Sequence, residues 1–322
     1  MTARVIIVAA NVLAIALTGA GCAPSSPVPA AHPIPPASEQ TVPAQTATVT
    51  TPGSWIPSSR GPWDGALYQA ASKDGISFGT STLVLKQAGV PNLLRTKDGR
   101  IILTYQYFSS EDRSLFDAIA YSASEDDGKT WTTPKALALS GVPTPIDADK
   151  RPMDPTLVQL EDGSLRLYFT YHAAGRKHAE LYSATNAVGD IGGTFAVSAA
   201  PALTIDETNL LDPTVVLLGG TWHHFSWQDG SDDNFHSTSS DGLEFIRQAD
   251  VSLPMDFLGQ AISTGSSIRM YGTGEGGVVS AMSSDGFSWK MDSGSRMQGA
   301  DPGVAVLADG TYLMVYSKMN FN

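Results

Sequence analysis

The chain has 322 residues, a formal charge of −12 from 32 acidic and 20 basic side chains, a hydrophobic share of 42%, and a single cysteine. That length suits one β domain of roughly 260 residues plus a leader and linker. The acidic balance and the lack of Lys/Arg runs exclude nucleic acid and anionic lipid as main partners, while one cysteine excludes an internal disulfide.

Residues 1–22 read as an export signal: Arg4 precedes an apolar run from Val5 to Leu17 that is too short to span a membrane with stop-transfer flanks. The run closes on Leu17-Thr-Gly-Ala-Gly-Cys22, which resembles the lipobox of bacterial lipoproteins. Cys22 is therefore the expected lipidation site, and that lipid the only expected tie to a membrane. The protein is expected in the bacterial cell envelope, lipid-anchored, or outside the cell. Residues 23–62 are rich in Pro, Ala, Ser and Thr and have no hydrophobic period. Such a stretch cannot bury enough surface to fold, and as an extended linker it reaches on the order of 100 Å.

Residues 63–322 carry two repeats in phase. The first is a strand ending in Ser, an Asp/Gly turn and an aromatic: Ser72 to Phe78, Ser124 to Trp131, a stretched form from Ser183 to Phe195, Ser239 to Phe245, and Ser283 to Trp289. The period is roughly 45 to 65 residues, in or near the range of propeller blades. The second repeat is a pair of apolar strands, led by Val90-Pro91-Asn92, Asp154-Pro155, Asp212-Pro213, Phe257-Leu258 and Asp301-Pro302. The last pair runs out of chain before its turn, and Ala66 to Lys86 supplies an outer hairpin with no inner strands before it. Joining the two predicts an all-β, five-bladed propeller whose last blade is closed by N- and C-terminal strands. A monomer is expected.

In a propeller the first strand of each blade lines the axis, and its N-terminal end opens on the face that also carries the loops between second and third strands. Asp154, Asp212 and Asp301 occupy that position. Convergent carboxylates raise one another's proton affinity, so one such set can hold both an acid and a base. Glycoside hydrolysis needs that pair. The competing reading is that Asp before Pro simply starts a strand, since Pro spares an N–H there and Asp favours the preceding turn.

The loops of the same face add Arg113, Arg151 and Arg176, whose planar forks suit sugar hydroxyls or an acidic substituent, and His172. Tyr107 and Trp227 offer stacking surfaces for sugar rings. Asp229, Ser231 and Asp233 alternate as calcium ligands do but lack the Gly and distal Glu of a full loop. Calcium is the one ion considered, and no cofactor is expected. No zinc, phosphate-loop or nucleophilic-triad signature is present.

On these residues the stretch from Ala66 to Lys318 resembles the five-bladed propeller glycosidases, the arabinanase, xylosidase and β-fructosidase group, and Ser124 to Trp131 resembles the Asp-box turn of sialidases. The glycosidase resemblance implies a base Asp, a second Asp that tunes proton affinity and an acid Glu from the inner ends of different blades. Carried over, Asp154 or Asp301 is the base, Asp212 the modulator, and Glu275 or Glu207 the acid. Blade one offers Asn92 after Pro91 where an acid is expected, and blade three has Asp212 where many relatives place the Glu. The implied function is a glycoside hydrolase acting on an extracellular polysaccharide or oligosaccharide. The alternative is a non-catalytic propeller lipoprotein that binds a glycan or a protein.

Overall fold

The computed structural model describes residues 61–319 except Asp149, Glu207, Asp229 and Gly230. Cys22 and the linker up to residue 60 lie outside the described residues. Five antiparallel sheets follow one another around an axis, with one-turn 3-10 helices at Pro62–Asp64 and Arg113–Leu115. Blade one holds Ala88–Arg95, Ile101–Phe108, Phe116–Ser124 and Lys135–Ala136. Blade two holds Met153–Gln159, Leu165–Tyr171, Glu180–Asn186 and Thr194–Val197, with Ala138–Ser140 added in parallel at its outer edge. Blade three holds Leu211–Leu218, Thr221–Trp227, Asp233–Ser239 and Ile246–Arg247, and blade four Phe257–Ser263, Ile268–Gly274, Gly277–Ser283 and Lys290–Met291. Blade five draws on both ends of the chain: Ala300–Val306 and Tyr312–Met319 pair on into Gly65–Ser72 and Thr82–Lys86. The join runs in unbroken register from Gly65 opposite Met319 to Ser72 opposite Tyr312.

Each blade is covered on both faces by its neighbours, so second strands are largely buried, polar positions such as Thr170, His223 and His224 included. All seven residues of Leu165–Tyr171 are buried. The core is accordingly five slabs between blades. Leu157, Leu167 and Phe195 of blade two meet Ile102 and Ile119 of blade one, and Leu313 and Val315 of blade five meet Leu93 and Leu103 of blade one.

The Asp/Gly turns lie on the face opposite the inner-strand N-termini, and they bolt each blade to the one before. In the first, Ser72 Oγ accepts from Gly75 N (3.0 Å) while Asp74 Oδ1 accepts from Ile76 N (2.8 Å) and Ser77 N (2.7 Å). The same pattern recurs at Ser239/Asp241 and Ser283/Asp285. In the Ser124 turn the backbone and hydroxyl of Thr130 hold the Asp126 carboxyl at about 2. The buried carbonyls of the turn glycines then accept from the preceding blade's second strand: Tyr168 Oη donates to Gly242 O (2.7 Å) and Tyr271 Oη to Gly75 O (2.9 Å). The aromatic after each turn packs on the same partners. Phe245 lies 5.9 Å from Tyr168 and Phe78 lies 6.4 Å from Tyr271, both edge-on, and Trp131 Nε1 donates to Gln69 Oε1 (2.9 Å).

At the axis a second set of bonds closes the ring. Asn92 Oδ1 accepts from Leu157 N (2.9 Å), Thr156 Oγ1 donates to Pro213 O (2.7 Å), and Thr214 Oγ1 accepts from Ala261 N (2.8 Å). Gln260 completes the circuit: its Oε1 accepts from Val304 N and Leu93 N (both 2.9 Å), and its Nε2 donates to Leu93 O (2.7 Å). One side chain thus joins blades four, five and one. Gln260→Ala leaves two buried N–H groups and a carbonyl unpaired, at roughly 1–3 kcal/mol each. Urea unfolding is expected to show a loss of about 3 kcal/mol or more, against a change within about 0.5 kcal/mol for a surface control such as Lys129→Ala.

Candidate active site

Every inner strand skips register at the same point, a bulge that turns one residue toward the axis: between Gly89 and Asn92, Met153 and Thr156, Leu211 and Thr214, Leu258 and Ala261, and Ala300 and Gly303. The residue after the first of each pair is Val90, Asp154, Asp212, Gly259 or Asp301. Four of them sit in the left-handed region, with φ of +49° at Val90, +54° at Asp154, and +47° at both Asp212 and Asp301. That conformation costs most L-residues roughly 1–2 kcal/mol and is borne best by Asn and Asp. At Gly259 an added Cβ would stand 2.6 Å from Pro302 O, so no side chain fits.

Three carboxylates, from blades two, three and five, are therefore brought to one mouth. Blade one is a correction to the sequence reading: its ring position is Val90, not Asn92. Asn92 matches Thr156 and Thr214, two residues further on, and its buried amide is spent on the bond to blade two.

The three acids keep some exposed surface but are ringed by protein. Burial, then the charges of Asp301 and Asp117, push the Asp154 carboxyl up to about 6, against the backbone N–H of Asp212 and the hydroxyl of Thr170. Asp212 N donates to Asp154 Oδ2 across 3.4 Å. Asp212 itself is raised well above the usual carboxylate range by burial and by the charges of Asp154 and Asp301. Asp301 is raised by burial, with the Ser317 hydroxyl opposing.

A fourth acid, Asp117, was not expected. It opens the third strand of blade one with φ +57°, accepts from Gln106 Nε2 (2.9 Å) and is raised by burial, with Gln106, Arg151 and Lys150 opposing. Its signal in the sequence was a charge inside an apolar strand, Phe116-Asp117-Ala118-Ile119.

Beneath the mouth an axial pit of about 20 Å3 is lined by Asp154, Asp212, Asp301 and Val90, room for a single water. Beside it opens a cavity of about 670 Å3, lined by Asp117, Asp154, Asp301 and Gln106 with Trp63, Phe108 and Phe116. Trp63, from the turn before the first strand, was also missed, because it sits at the end of the Pro-rich segment. A neighbouring cavity of about 500 Å3 is lined by Arg151, Lys150 and Tyr171.

The remaining expected residues are dispersed. Glu275 is exposed on the tight turn between Ile268–Gly274 and Gly277–Ser283 and lines neither cavity. Glu207 and Asp229 lie outside the described residues. Arg176 forms a bidentate pair with buried Glu180, both contacts 2.6 Å, and His172 Nε2 sits 3.0 Å from Arg176 O. Arg113 is exposed in its one-turn helix. Tyr107 packs edge-on against Tyr105, and Trp227 leans on Phe257 at 4.9 Å. Ser231 Oγ accepts from Asp233 N (3.0 Å). Among the described residues no three His, Cys, Asp or Glu side chains are placed to share a metal ion.

The architecture is that of a five-bladed propeller with carboxylates gathered at one end of its axis, and the solved structures similar to it in fold include glycoside hydrolases. Zg3597, a family 117 glycoside hydrolase of Zobellia galactanivorans, aligns at a TM-score of 0.54 and 12% identity over 72% of this chain and 84% of its own. An α-L-arabinofuranosidase from Lactobacillus brevis aligns at 0.53 and 12% over 73% and 85%, and the RS223 β-xylosidase at 0.51 and 11% over 71% and 91%. No family model matches the sequence, and no curated protein does. At these identities the likeness is one of fold.

The raised carboxyls have a sign that thermodynamics fixes. A carboxyl whose folded pKa exceeds its unfolded value near 3.8 makes the native state hold more protons between the two, so its contribution to stability falls as pH rises through that window. For Asp154 the window runs from 3.8 to about 6, and for Asp212 it extends well above the ordinary carboxylate value. The double variant Asp154→Asn/Asp212→Asn is expected to gain melting temperature relative to the wild type as pH is raised from 4 to 7. Parallel melting curves across that range would refute the assignment of raised acids.

Proposed function

We propose that the protein is a glycoside hydrolase that acts on an extracellular polysaccharide or oligosaccharide by carboxylate acid/base catalysis. The observation that carries this reading is the set of unequal carboxyls on one mouth. An acid pushed up to about 6 beside others raised by different neighbours is how one site keeps a protonated donor and an ionised base at the same pH. The fold shared with family 117 and xylosidase structures supports the reaction class.

In this reading Asp154 or Asp301 serves as base and Asp212 tunes proton affinity. Ionised, it adds a like charge that raises the proton affinity of Asp154; protonated, it withdraws that charge, and its backbone N–H opposes the rise in either state. The donor is drawn from Glu275 or Glu207 as the resemblance implies, or from Asp117, which shares the 670 Å3 cavity with Asp154 and Asp301. The export signal, the lipid at Cys22 and the linker belong to the same proposal: a catalytic domain held off a membrane and facing glycans outside the cell.

Two observations favour a second reading, a non-catalytic propeller lipoprotein that binds a glycan or protein. The ring position of blade one is Val90, and Glu275 stands outside the cavities. Screening a plant and microbial glycan panel with product analysis separates the two. On a glycan that is cleaved, Asp154→Asn and Asp212→Asn are each expected to lower kcat by roughly 100-fold or more, while Asp126→Ala, on the opposite face, leaves kcat within about twofold. Binding to a glycan with no cleavage across the panel supports the binding module instead. Full activity in both aspartate variants overturns the catalytic assignment.

A further inference from the structure

The seam between blades three and four differs from two of its neighbours in what the turn rests on. The turn glycines pack so closely on a side chain of the preceding blade that an added Cβ would stand 2.7 Å from Tyr168 Oη at Gly242, and 2.7 Å from Tyr271 Oη at Gly75. At Gly286 it would stand 2.4 Å from His223 Nδ1. A ring whose ordinary pKa is 6.5 thus takes the place of a phenol, which burial raises to about 12 in Tyr168.

His223 is half of a pair. Its Nδ1 lies 3.0 Å from Nε2 of His236 on the third strand, both side chains are buried, and their rings are parallel to within 4°. At that distance one nitrogen carries the proton that the other accepts, so the bond lasts only while a single proton sits at the shared edge. The surroundings are aromatic: Phe225 is 4.7 Å from His236, and Phe287 of the blade-four turn stands edge-on at 5.9 Å from His223 and 4.7 Å from His236. Nδ1 of His236 is buried with no hydrogen bond to receive a second N–H.

Three ionisable groups among the described residues face the pair. Asp285 belongs to the turn, Arg247 of the outer strand donates to His236 O (3.1 Å), and His224 lies next to His223 on the second strand. Burial pushes His236 down to about 4 and His224 to about 3; Arg247 pushes both the same way, and Asp285 opposes at His223 and His236.

We propose that the His223–His236 pair is a proton-sensitive latch: acid opens the outer part of the seam between blades three and four and frees the Ser283–Trp289 turn, while the axial belt stays closed. A second proton at the shared edge removes the N–H···N bond and sets two cations side by side among aromatic rings. At the axis the same two blades are joined by the bond from Ala261 N to Thr214 Oγ1, which has no titrating partner. A histidine held below 6.5 in the fold contributes stability that is whole above 6.5 and is lost as pH falls toward about 4. The raised carboxyls of the mouth gain over the same fall in pH. Acid therefore acts on the two faces of the propeller in opposite senses.

The test is hydrogen exchange read by mass spectrometry on the full-length protein at pH 7 and pH 4, with exchange times scaled to the intrinsic amide rate at each pH. The Ser283–Trp289 turn is compared with the Ser239–Phe245 turn, which is seated on Tyr168. Protection of the first is expected to fall at least about tenfold more than that of the second on going to pH 4. His223→Tyr/His236→Phe, which gives this seam the tyrosine of the other two turns, is expected to keep its protection at pH 4. Ring titration of the wild type by NMR supplies a readout independent of the variant, with His236 expected to titrate near 4. Equal loss at both turns, loss at neither, a loss undiminished in the folded double variant, or titration of His223 and His236 at about 6.5 would overturn the proposal.

Discussion

A belt of hydrogen bonds around the axis holds the molecule together at its narrowest point. Asn92, Thr156, Thr214 and Gln260 each hand a side chain to the backbone of another blade, and Gln260 alone serves Leu93 and Val304. The crowding that follows leaves no room for a side chain at Gly303, where a Cβ would meet Pro91 O at 2.6 Å. With the inner strands drawn this close, whatever projects from their bulges has to converge, and the carboxylates of Asp154, Asp212 and Asp301 share one small space because of it.

The opposite face does different work. Its Asp/Gly turns present carbonyls and aromatics to the preceding blade, fixing the angle between neighbours without reaching the axis. Their carboxylates are held low by backbone N–H donors, whereas those at the mouth are raised by burial and by one another. The same residue type, repeated through one chain, is thus a structural acceptor at one end of the propeller and a proton-holding group at the other. Donors decide the first case and desolvation the second.

The repeats made blade number and strand order legible, because a Ser-Asp-Gly-aromatic turn is a local arrangement that backbone chemistry enforces wherever it occurs. Asp154, Asp212 and Asp301 were legible as well, each marked by the Pro that follows it. Blade one was misread because Asn92 is polar and adjacent to Pro91, although the Pro that follows the axis-facing residue in blades two, three and five follows Val90 here. Asp117 and Gln106 escaped because they meet only when second and third strands pair. Trp63 escaped because its partners Phe108 and Phe116 are more than forty residues away in sequence. Arginines and a histidine on the loops looked like ligand-binding groups, and Arg176 is instead spent on Glu180.

The central claim is that closure of the ring forces these aspartates into one electrostatic unit. Selective carbon-13 labelling of aspartate carboxyls, followed by NMR titration with single Asp→Asn assignments, measures it directly. The account expects Asp154 to titrate near 6, Asp212 higher than an ordinary carboxyl, and each to shift when the other is replaced. Independent titration of all three at about 4, unmoved by neighbouring substitutions, would contradict it.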